Sequence, residues 1–162
     1  MRVFIPIVAS LLAVAGCSEP PPEQLSQDTG NSASRAALAG APLVTIYKSP
    51  TCGCCANWVE HLQENGFRTE VHDSNELGSV KSEHAVPPDL SACHTALVDG
   101  YVVEGHVPAE TIRKLLAERP RVAGVAVPGM PMGSPGMEGP YSESYQVLTF
   151  TVQGETGVYA TY

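Results

Sequence analysis

The apolar and polar positions in the middle of the chain predict alternating strands and helices. Residues 43–47 are β-branched and aromatic, which is typical of a buried strand, and residues 67–72 form a plausible second strand. Between them, apolar residues recur at helical spacing over residues 55–65, and Gly66 is a fitting helix end. A short helix is expected over residues 75–81. This part of the chain therefore has the order strand, helix, strand, helix.

A β-hairpin is indicated farther along the chain. Residues 95–98 and 101–104 are largely apolar, and the Asp99-Gly100 dipeptide between them suits a two-residue hairpin turn. A helix then follows, with Pro108 in its first turn, and it ends at Pro120. We expect the hairpin to supply the third and fourth strands of a sheet.

The C-terminal third begins with a predicted loop. Residues 128–140 contain four Pro, four Gly and three Met, a composition that excludes regular structure. Residues 145–152 and 158–162 read as strands of a closing hairpin, with its turn at residues 154–157. The order βαβ(α)ββα resembles the thioredoxin fold. We therefore expect an α/β fold, with a thioredoxin-like sheet, flanking helices and an added C-terminal β-hairpin.

The N-terminus has the layout of a signal peptide. Residues 1–16 carry one charged residue, an apolar run and small residues at the end. This run is shorter than the roughly 20 residues that span a bilayer. Residues 14–17, Val-Ala-Gly-Cys, resemble the lipobox of bacterial lipoproteins, which implies cleavage before Cys17 and lipidation of its sulfur. The alternative is an ordinary free Cys17 after a standard cleavage site. With Ser18 next, the resemblance implies outer-membrane sorting and a domain that faces the periplasm.

A tether and one domain are expected after the signal peptide. Residues 17–42 include three consecutive prolines and no periodic apolar face, which predicts a flexible tether. Residues 43–162 then form a single domain. The chain has 9 basic and 17 acidic residues and a net charge of -8, so it lacks the positive charge of a nucleic-acid binder. We expect no nucleic-acid partner, and membrane contact through the lipid anchor only.

Three of the five cysteines lie in one turn, Cys52-Gly53-Cys54-Cys55, between the first strand and the first helix. Cys52 and Cys55 have the C-x-x-C spacing of a thiol–disulfide site, and they are the catalytic candidates if the site is redox-active. A helix N-terminus also stabilises thiolates, which improves them as nucleophiles and as ligands. Cys54 adds a third sulfur, which favours a metal. In a thioredoxin-like sheet, Cys93 would supply a fourth.

The identity of a metal depends on the softness of its ligands. Clustered thiolates with thioethers suit Cu(I), whereas four thiolates alone also suit Zn(II). Met130, Met132 and Met137 lie in the predicted loop and would favour copper as ligands, although Met side chains also fill gaps in cores. A further alternative is two structural disulfides in an oxidising compartment. Three cysteines packed into one turn make a functional site the preferred interpretation.

The histidines are less decisive than the cysteines. His94 follows Cys93, so on a regular strand only one of these two side chains would enter the site. His106 ends the predicted fourth strand and would approach the site from the side. Both are candidate ligands. The remaining three histidines are expected to be surface residues, and the chain's one tryptophan a core residue: His61, His72, His84 and Trp58.

Together these motifs resemble the CopG-like periplasmic proteins of bacterial copper and silver resistance loci, long described as a domain of unknown function. The resemblance rests on the Cys52–Cys55 turn after Tyr-Lys-Ser-Pro, on Cys93-His94, on His106 and on the loop at residues 128–137. It covers about residues 43–150. It implies a thioredoxin-like fold and thiols that bind Cu(I), as a multinuclear thiolate cluster, or that pair as disulfides. The lipobox, the tether and the strand pair after residue 141 depart from the family pattern.

The resemblance also implies which thiols act. Four residues match the family's thiol positions: Cys52, Cys54, Cys55 and Cys93. The leading hypothesis is a lipid-anchored periplasmic Cu(I)-binding protein of copper resistance, with a copper-efflux protein or a periplasmic copper carrier as its partner. The alternative is a thiol–disulfide or copper oxidoreductase in which Cys52 attacks and Cys55 resolves. A third hypothesis is a disulfide-stapled interaction domain without metal.

Overall fold

The computed structural model describes residues 40–162 of the chain. Within this range the chain forms one seven-stranded sheet, three α-helices and one short 3₁₀ turn. The strands are β1 (Leu43–Lys48), β2 (Arg68–Asp73), β3 (His94–Val98), β4 (Tyr101–Glu104), β5 (Gly124–Ala126), β6 (Gln146–Phe150) and β7 (Thr156–Thr161). The helices are α1 (Gly53–Glu64), α2 (Leu77–Glu83) and α3 (Ala109–Glu118), and the 3₁₀ turn is Pro88–Leu90. The predicted signal peptide, Cys17 and the tether up to residue 39 lie outside the described residues.

The sheet has the order β2-β1-β3-β4-β5-β6-β7. Strands β1 and β2 are parallel and are connected by α1, whereas β3 runs antiparallel to both β1 and β4. The first four strands and the three helices follow one another as βαβαββα, as the sequence predicts. The α/β prediction of a thioredoxin-like sheet with flanking helices is therefore confirmed. None of the helices within residues 40–162 is long and apolar enough to cross a bilayer.

Strand β5 is not predicted by the residue pattern. This strand lies parallel to β4 and antiparallel to β6, so it joins the predicted C-terminal hairpin, β6 and β7, to the thioredoxin-like strands. Three residues are too short to show a periodic pattern. Its first residue, Gly124, is required by close packing, since a Cβ there would lie 2.2 Å from the carbonyl oxygen of Val102. The strand leads directly into the loop that begins at Pro128.

Apolar side chains cover the sheet on both faces. One cluster joins α1 and α3 to the sheet, with Trp58 and Ile112 packed against Ile46 and Val103. A second cluster lies around the 3₁₀ turn and includes Leu90 and Phe150 together with Val86, Val102 and Ala126. Because β3 and β4 are central strands between these clusters, nearly all of their residues are buried. The site described next lies at the end of β1, beside the start of β3.

Candidate metal and thiol site

The start of α1 carries the turn of residues 52–55, here called the thiol turn. Cys52 is the N-cap of α1, and its Sγ accepts a hydrogen bond from the backbone N–H of Cys55 at 3.3 Å. The backbone N–H of Cys52 in turn donates to the carbonyl oxygen of Ser49 at 3.2 Å, which turns the chain from β1 into the helix. The helix therefore begins two residues before the predicted start, and the thiol turn forms its first turn.

Cys93 lies beside the thiol turn, although 38 residues separate it from Cys55. The sulfur atoms of Cys52, Cys54, Cys55 and Cys93 all lie within 4.8 Å of one another. Cys55 is buried and the other three side chains are half-buried. The fold thus brings together the four sulfur atoms that the sequence predicts to converge. Their role as metal ligands remains a prediction.

Two of these four sulfur atoms are joined. Cys52 and Cys55 form a disulfide, whereas Cys54 and Cys93 are free among the described residues. The Sγ atoms of Cys54 and Cys52 lie 3.4 Å apart. A thiolate is the form of cysteine that acts as a metal ligand and nucleophile. In this state the site offers two thiols, and reduction of the disulfide would give it four.

A second group of donors shares Cys93. We call Cys93, His94 and His106 the imidazole wall, and their ligand atoms also lie within 4.8 Å of one another. The Sγ of Cys93 lies 3.1 Å from Nε2 of His106 and 3.5 Å from Nδ1 of His94. The expectation that only one of Cys93 and His94 would enter the site is wrong. Strand β3 begins at His94, so Cys93 lies in the irregular segment before it and strand alternation does not apply.

His94 is fully buried against Trp58, whose ring centroid lies 4.3 Å away. Its Nε2 has no hydrogen-bond partner among the described residues. Burial, followed by the nearby charges of His106 and Lys81, lowers the pKa of His94 well below its usual value. The ring is therefore neutral, which is the form that binds a metal. A buried polar atom without a partner is uncommon, and it is Nδ1 of this ring, on the other side from Nε2, that lies 3.5 Å from the Cys93 sulfur.

His106 is held by the loop at residues 128–140. Its Nδ1 donates a hydrogen bond to the carbonyl oxygen of Pro135 at 2.7 Å, which leaves the lone pair of Nε2 facing Cys93. Burial lowers the pKa of His106, and the bond to Pro135 opposes this effect. A histidine that donates through one ring nitrogen and faces a metal site with the other has the arrangement of many metal ligands.

Burial and the neighbouring Cys54 raise the pKa of the Cys93 thiol to about 12. The metal-free protein therefore holds this sulfur as a neutral thiol at neutral pH, and its proton can be donated to Nε2 of His106. A metal ion must displace that proton to bind the sulfur. In the metal-free protein, Cys93 and the two imidazoles are therefore all uncharged.

The loop at residues 128–140 contacts the site through its backbone. Gly136 has φ of +85°, and a Cβ there would lie 2.6 Å from the carbonyl oxygen of Cys54 and 2.8 Å from the backbone nitrogen of Trp58. Buried Ser134 stabilises the loop, because its hydroxyl donates to the carbonyl oxygen of Pro131 at 2.7 Å. Only a glycine at position 136 allows the loop to approach α1 this closely.

The methionines of this loop differ in exposure. Met130 is 51% exposed, whereas Met132 and Met137 are half-buried. The side chain of Met132 lies against Gly139, within the loop itself. The contacts described above therefore join the loop to the site through Pro135 and Gly136. Ligation by the methionine sulfur atoms remains a prediction.

Several residues near the site were not found from the sequence. His61, predicted to be a surface residue, is half-buried, and its Nε2 accepts the backbone N–H of Ala109 at 3.1 Å, at the start of α3. A second residue not found from the sequence is Glu104. It is fully buried next to the Cys93 segment and pairs with Lys81. A charged residue at the end of an apolar strand normally indicates an exposed position, so the pattern carried no signal for Glu104. Trp58 is a core residue, as expected.

The chain is similar to known proteins. A protein-family model described as "Protein of unknown function, DUF411" matches residues 90–137, which include the imidazole wall. The solved structure "Copper resistance protein copG- Form 1" is 45% identical, with a TM-score of 0.70, over 74% of this chain and 96% of that chain. "Copper resistance protein copG- Form 2" is also 45% identical, with a TM-score of 0.72, over 75% and 98%. Among curated protein sequences, none matches.

Proposed function

The chain belongs to the CopG family of copper resistance proteins, and from this premise we propose that it binds Cu(I) through a cluster of cysteine thiolates. The observation that carries the proposal is the convergence of four cysteine sulfur atoms within 4.8 Å of one another. These atoms are Sγ of Cys52, Cys54, Cys55 and Cys93. Such a spacing allows one ion, or several bridged ions, to contact all four sulfur atoms.

The donor set favours copper over zinc. Thiolates are soft ligands that select Cu(I), and neutral imidazoles suit it as well. A structural zinc site is closed by four ligands. Here the cluster of four cysteines and the imidazole wall together offer four sulfur atoms and two imidazoles, and Cys93 is common to both groups. Six donors, one of them the shared sulfur, support more than one copper ion, and we propose a multinuclear cluster.

Copper binding requires the reduced protein. The Cys52–Cys55 disulfide must take up two electrons and two protons before both sulfur atoms are thiols. Each thiol then loses its proton as a copper ion binds, so copper affinity should weaken in acid. The high pKa of Cys93 makes this proton release a substantial part of the binding reaction. The three half-buried sulfur atoms leave the site open to the ion.

A second function is favoured by the disulfide itself. Cys52 and Cys55 are oxidised while Cys54 stays free 3.4 Å away, an arrangement that suits a thiol–disulfide or copper oxidoreductase. In this reaction the Cys52–Cys55 dithiol forms the disulfide and gives two electrons and two protons to a substrate disulfide, which becomes two thiols. With two Cu(II) ions as the acceptor, the ions become Cu(I) and the two protons are released to water. Insulin or Cu(II) reduction by wild type and Cys52→Ser tests it. A copper-binding protein without redox activity shows no multiple turnover.

We also propose that the protein is a lipid-anchored periplasmic protein, with Cys17 as the lipidated residue. The supporting observation is the lipobox-like sequence at residues 14–17. Its partners would be copper ions and a copper-efflux protein or a periplasmic copper carrier. Mass spectrometry of the N-terminus of wild type and Cys17→Ser tests this proposal. Loss of the lipid and release from membranes are expected for the variant.

An anaerobic Cu(I) titration of the fully reduced protein against a competing chelator tests copper binding. Free thiols are counted before and after the titration. We expect more than one Cu(I) per chain and protection of all four thiols of the cluster. Cys54→Ser should lower the copper stoichiometry. His72→Gln is the matched control, because it removes an exposed imidazole outside the cluster and should bind as much copper as wild type.

Two other results would contradict the proposed copper cluster. If the chelator keeps all the copper and the thiols reoxidise in pairs, the redox or structural disulfide hypothesis is the better account. If Cys54→Ser binds as much copper as wild type, the cluster does not include Cys54. A parallel titration with Zn(II) separates the metals, and we expect Cu(I) to displace Zn(II) from the reduced protein.

A further inference from the structure

A buried ion pair lies directly behind the segment that carries Cys93. Glu104, at the end of β4, is fully buried, and Lys81 of α2 reaches it with a side chain that is 14% exposed. Glu104 lies opposite Thr95 in the register between β3 and β4. Neither Glu104 nor Lys81 belongs to the thiol turn or to the imidazole wall. Their function is not explained by the proposed copper ligands.

Every carboxylate oxygen of Glu104 is used in this network. Oε1 accepts the backbone N–H of Ala92 at 2.7 Å, and it also accepts a hydrogen bond from Lys81. Oε2 accepts the hydroxyl of Thr95 at 2.7 Å, and the Thr95 oxygen accepts a hydrogen bond from Lys81 at 3.0 Å. Two of these partners, Ala92 and Thr95, flank Cys93 and His94 on both sides. The carboxylate thus holds this segment at its two ends.

The backbone reinforces these contacts. The N–H of Gly105 donates to the carbonyl oxygen of His94 at 3.1 Å, and the N–H of Val127 donates to the carbonyl oxygen of Glu104 at 3.0 Å. Gly105 has φ of +72°, and a Cβ there would lie 2.7 Å from both the Ala92 Cβ and the Val127 carbonyl oxygen. Glu104 therefore stands between the Cys93 segment and the start of the loop that holds His106.

We propose that Glu104, with Lys81, is a positioning residue that fixes Cys93 where its sulfur faces both the thiol turn and the imidazole wall. Cys93 and Ala92 precede β3, so strand pairing does not hold them. A hydrogen bond to a charged carboxylate is stronger than one between neutral groups. An apolar pair is commonly as stable as a buried ion pair, so stability alone does not account for charge at this place. The consequence for copper rests on the proposed function.

The test compares Glu104→Gln and Lys81→Met with Val98→Ala. Glu104→Gln keeps the shape of the side chain and removes its charge, and Lys81→Met removes the opposite charge. Val98→Ala is the matched control, because Val98 is a core residue at the far end of β3. Thermal unfolding of each variant gives its stability. All measurements are made well below the unfolding temperature, on the full reduced chain.

The first readout is independent of copper. Iodoacetamide labels the reduced, metal-free protein, and Cys93 lies on a different tryptic peptide from the thiol turn, since Arg68 separates them. We expect faster labelling of Cys93 in Glu104→Gln, with an unchanged rate for Cys54, and faster hydrogen exchange at the Ala92 amide. Val98→Ala should leave the ratio of the two labelling rates unchanged. A purely structural role would not alter this ratio selectively.

The second readout is Cu(I) affinity by chelator competition. Glu104→Gln should weaken it by ~10–100-fold, the usual effect of losing a residue that orients a ligand, with a smaller loss in Lys81→Met. The proposal is overturned if both variants fold and retain the labelling ratio and copper affinity of Val98→Ala. If Glu104→Gln does not fold, Lys81→Met decides the question by the same two readouts. If wild type binds no Cu(I), the proposed function fails, and the labelling ratio still decides the positioning role.

Discussion

The thiol turn and the imidazole wall meet at one sulfur atom but are built in different ways. The thiol turn consists of consecutive residues at the start of α1, and its shape depends on local hydrogen bonds such as that from the Cys55 N–H to Cys52. The imidazole wall is assembled from β3 and the residues after β4, and both imidazoles are fully buried. Trp58 covers one ring, and Pro135 of a distant loop holds the other.

The two regions therefore differ in whether their covalent state can change. The half-buried thiol turn can gain or lose its disulfide through reactions of its own sulfur atoms. The two imidazoles of the wall are fully buried and contact Trp58 and the Pro135 carbonyl oxygen, neither of which takes part in the disulfide. Cys93 joins the two regions. Substitutions that affect one region and spare the other therefore test whether the regions act together.

The largest effect is expected from oxidation of the thiol turn. In the protein with the Cys52–Cys55 disulfide, two of the four cluster thiols are absent, so Cu(I) binding to the cluster should be lost. Reductant should restore it. Copper bound per chain, measured after gel filtration of the oxidised and the reduced protein, checks this prediction. Equal copper in both forms would mean that the imidazole wall alone holds the ion.

Loss of the shared sulfur should have the next largest effect. Cys93→Ser removes a donor from the four-cysteine cluster and from the imidazole wall, whereas Cys54→Ser removes one from the cluster only. Cys93→Ser should therefore weaken Cu(I) binding by more than the ~10–100-fold typical of losing an outer residue, and by more than Cys54→Ser does. Chelator competition under anaerobic conditions measures both. Equal losses in the two variants would show that Cys93 is one ligand among four and no link between the regions.

The contact between the loop and α1 should have a moderate effect on stability. Gly136→Ala forces a Cβ against the Cys54 carbonyl oxygen, whereas at Gly129, also with positive φ, a Cβ would meet nothing within 4 Å. Both variants strain the backbone, but only Gly136→Ala disturbs the site. Its free energy of unfolding in urea should fall by about 1–3 kcal/mol more than that of Gly129→Ala. Equal losses would mean that the loop is not seated on the thiol turn.

The smallest expected effect is on the stability of the protein at acidic pH. Burial lowers the pKa of His61 below 6.5, so the unfolded chain binds protons more readily than the folded protein as the pH falls below that value. Stability should therefore fall in acid. His61→Gln lacks this titration, and its free energy of unfolding should lose less between pH 7.5 and 5 than that of wild type, by about 1 kcal/mol or less. An identical loss would assign the whole acid sensitivity to other groups, including the imidazole wall.

The two regions also differ in how far they can be predicted from sequence. The thiol turn is contiguous in the sequence, and a strand before it and a helix after it are enough to position it. Cys93 needs the fold as well, since only the pairing of β1 with β3 brings it alongside. The orientation of His94 depends on a strand boundary of one residue, which residue patterns do not resolve. That boundary allows Cys93 and His94 to face the same site.

The burial of Glu104 and its pairing with Lys81 could not be predicted from the sequence. Strand β4 is central and covered on both faces, so all four of its residues are buried and alternation gives no information. Its partner Lys81 comes from helix α2, and the pair forms only in the complete fold. Strand β5, at three residues, is too short to form a pattern. These features depend on contacts between residues far apart in the sequence.

The most direct test of the account is X-ray absorption at the copper edge of the reduced, Cu(I)-loaded protein. We expect a shell dominated by sulfur with a smaller nitrogen contribution and a neighbouring copper atom, since three cysteines and two imidazoles surround the shared Cys93. A shell of nitrogen and oxygen only, with all four cluster thiols still reactive, would contradict it.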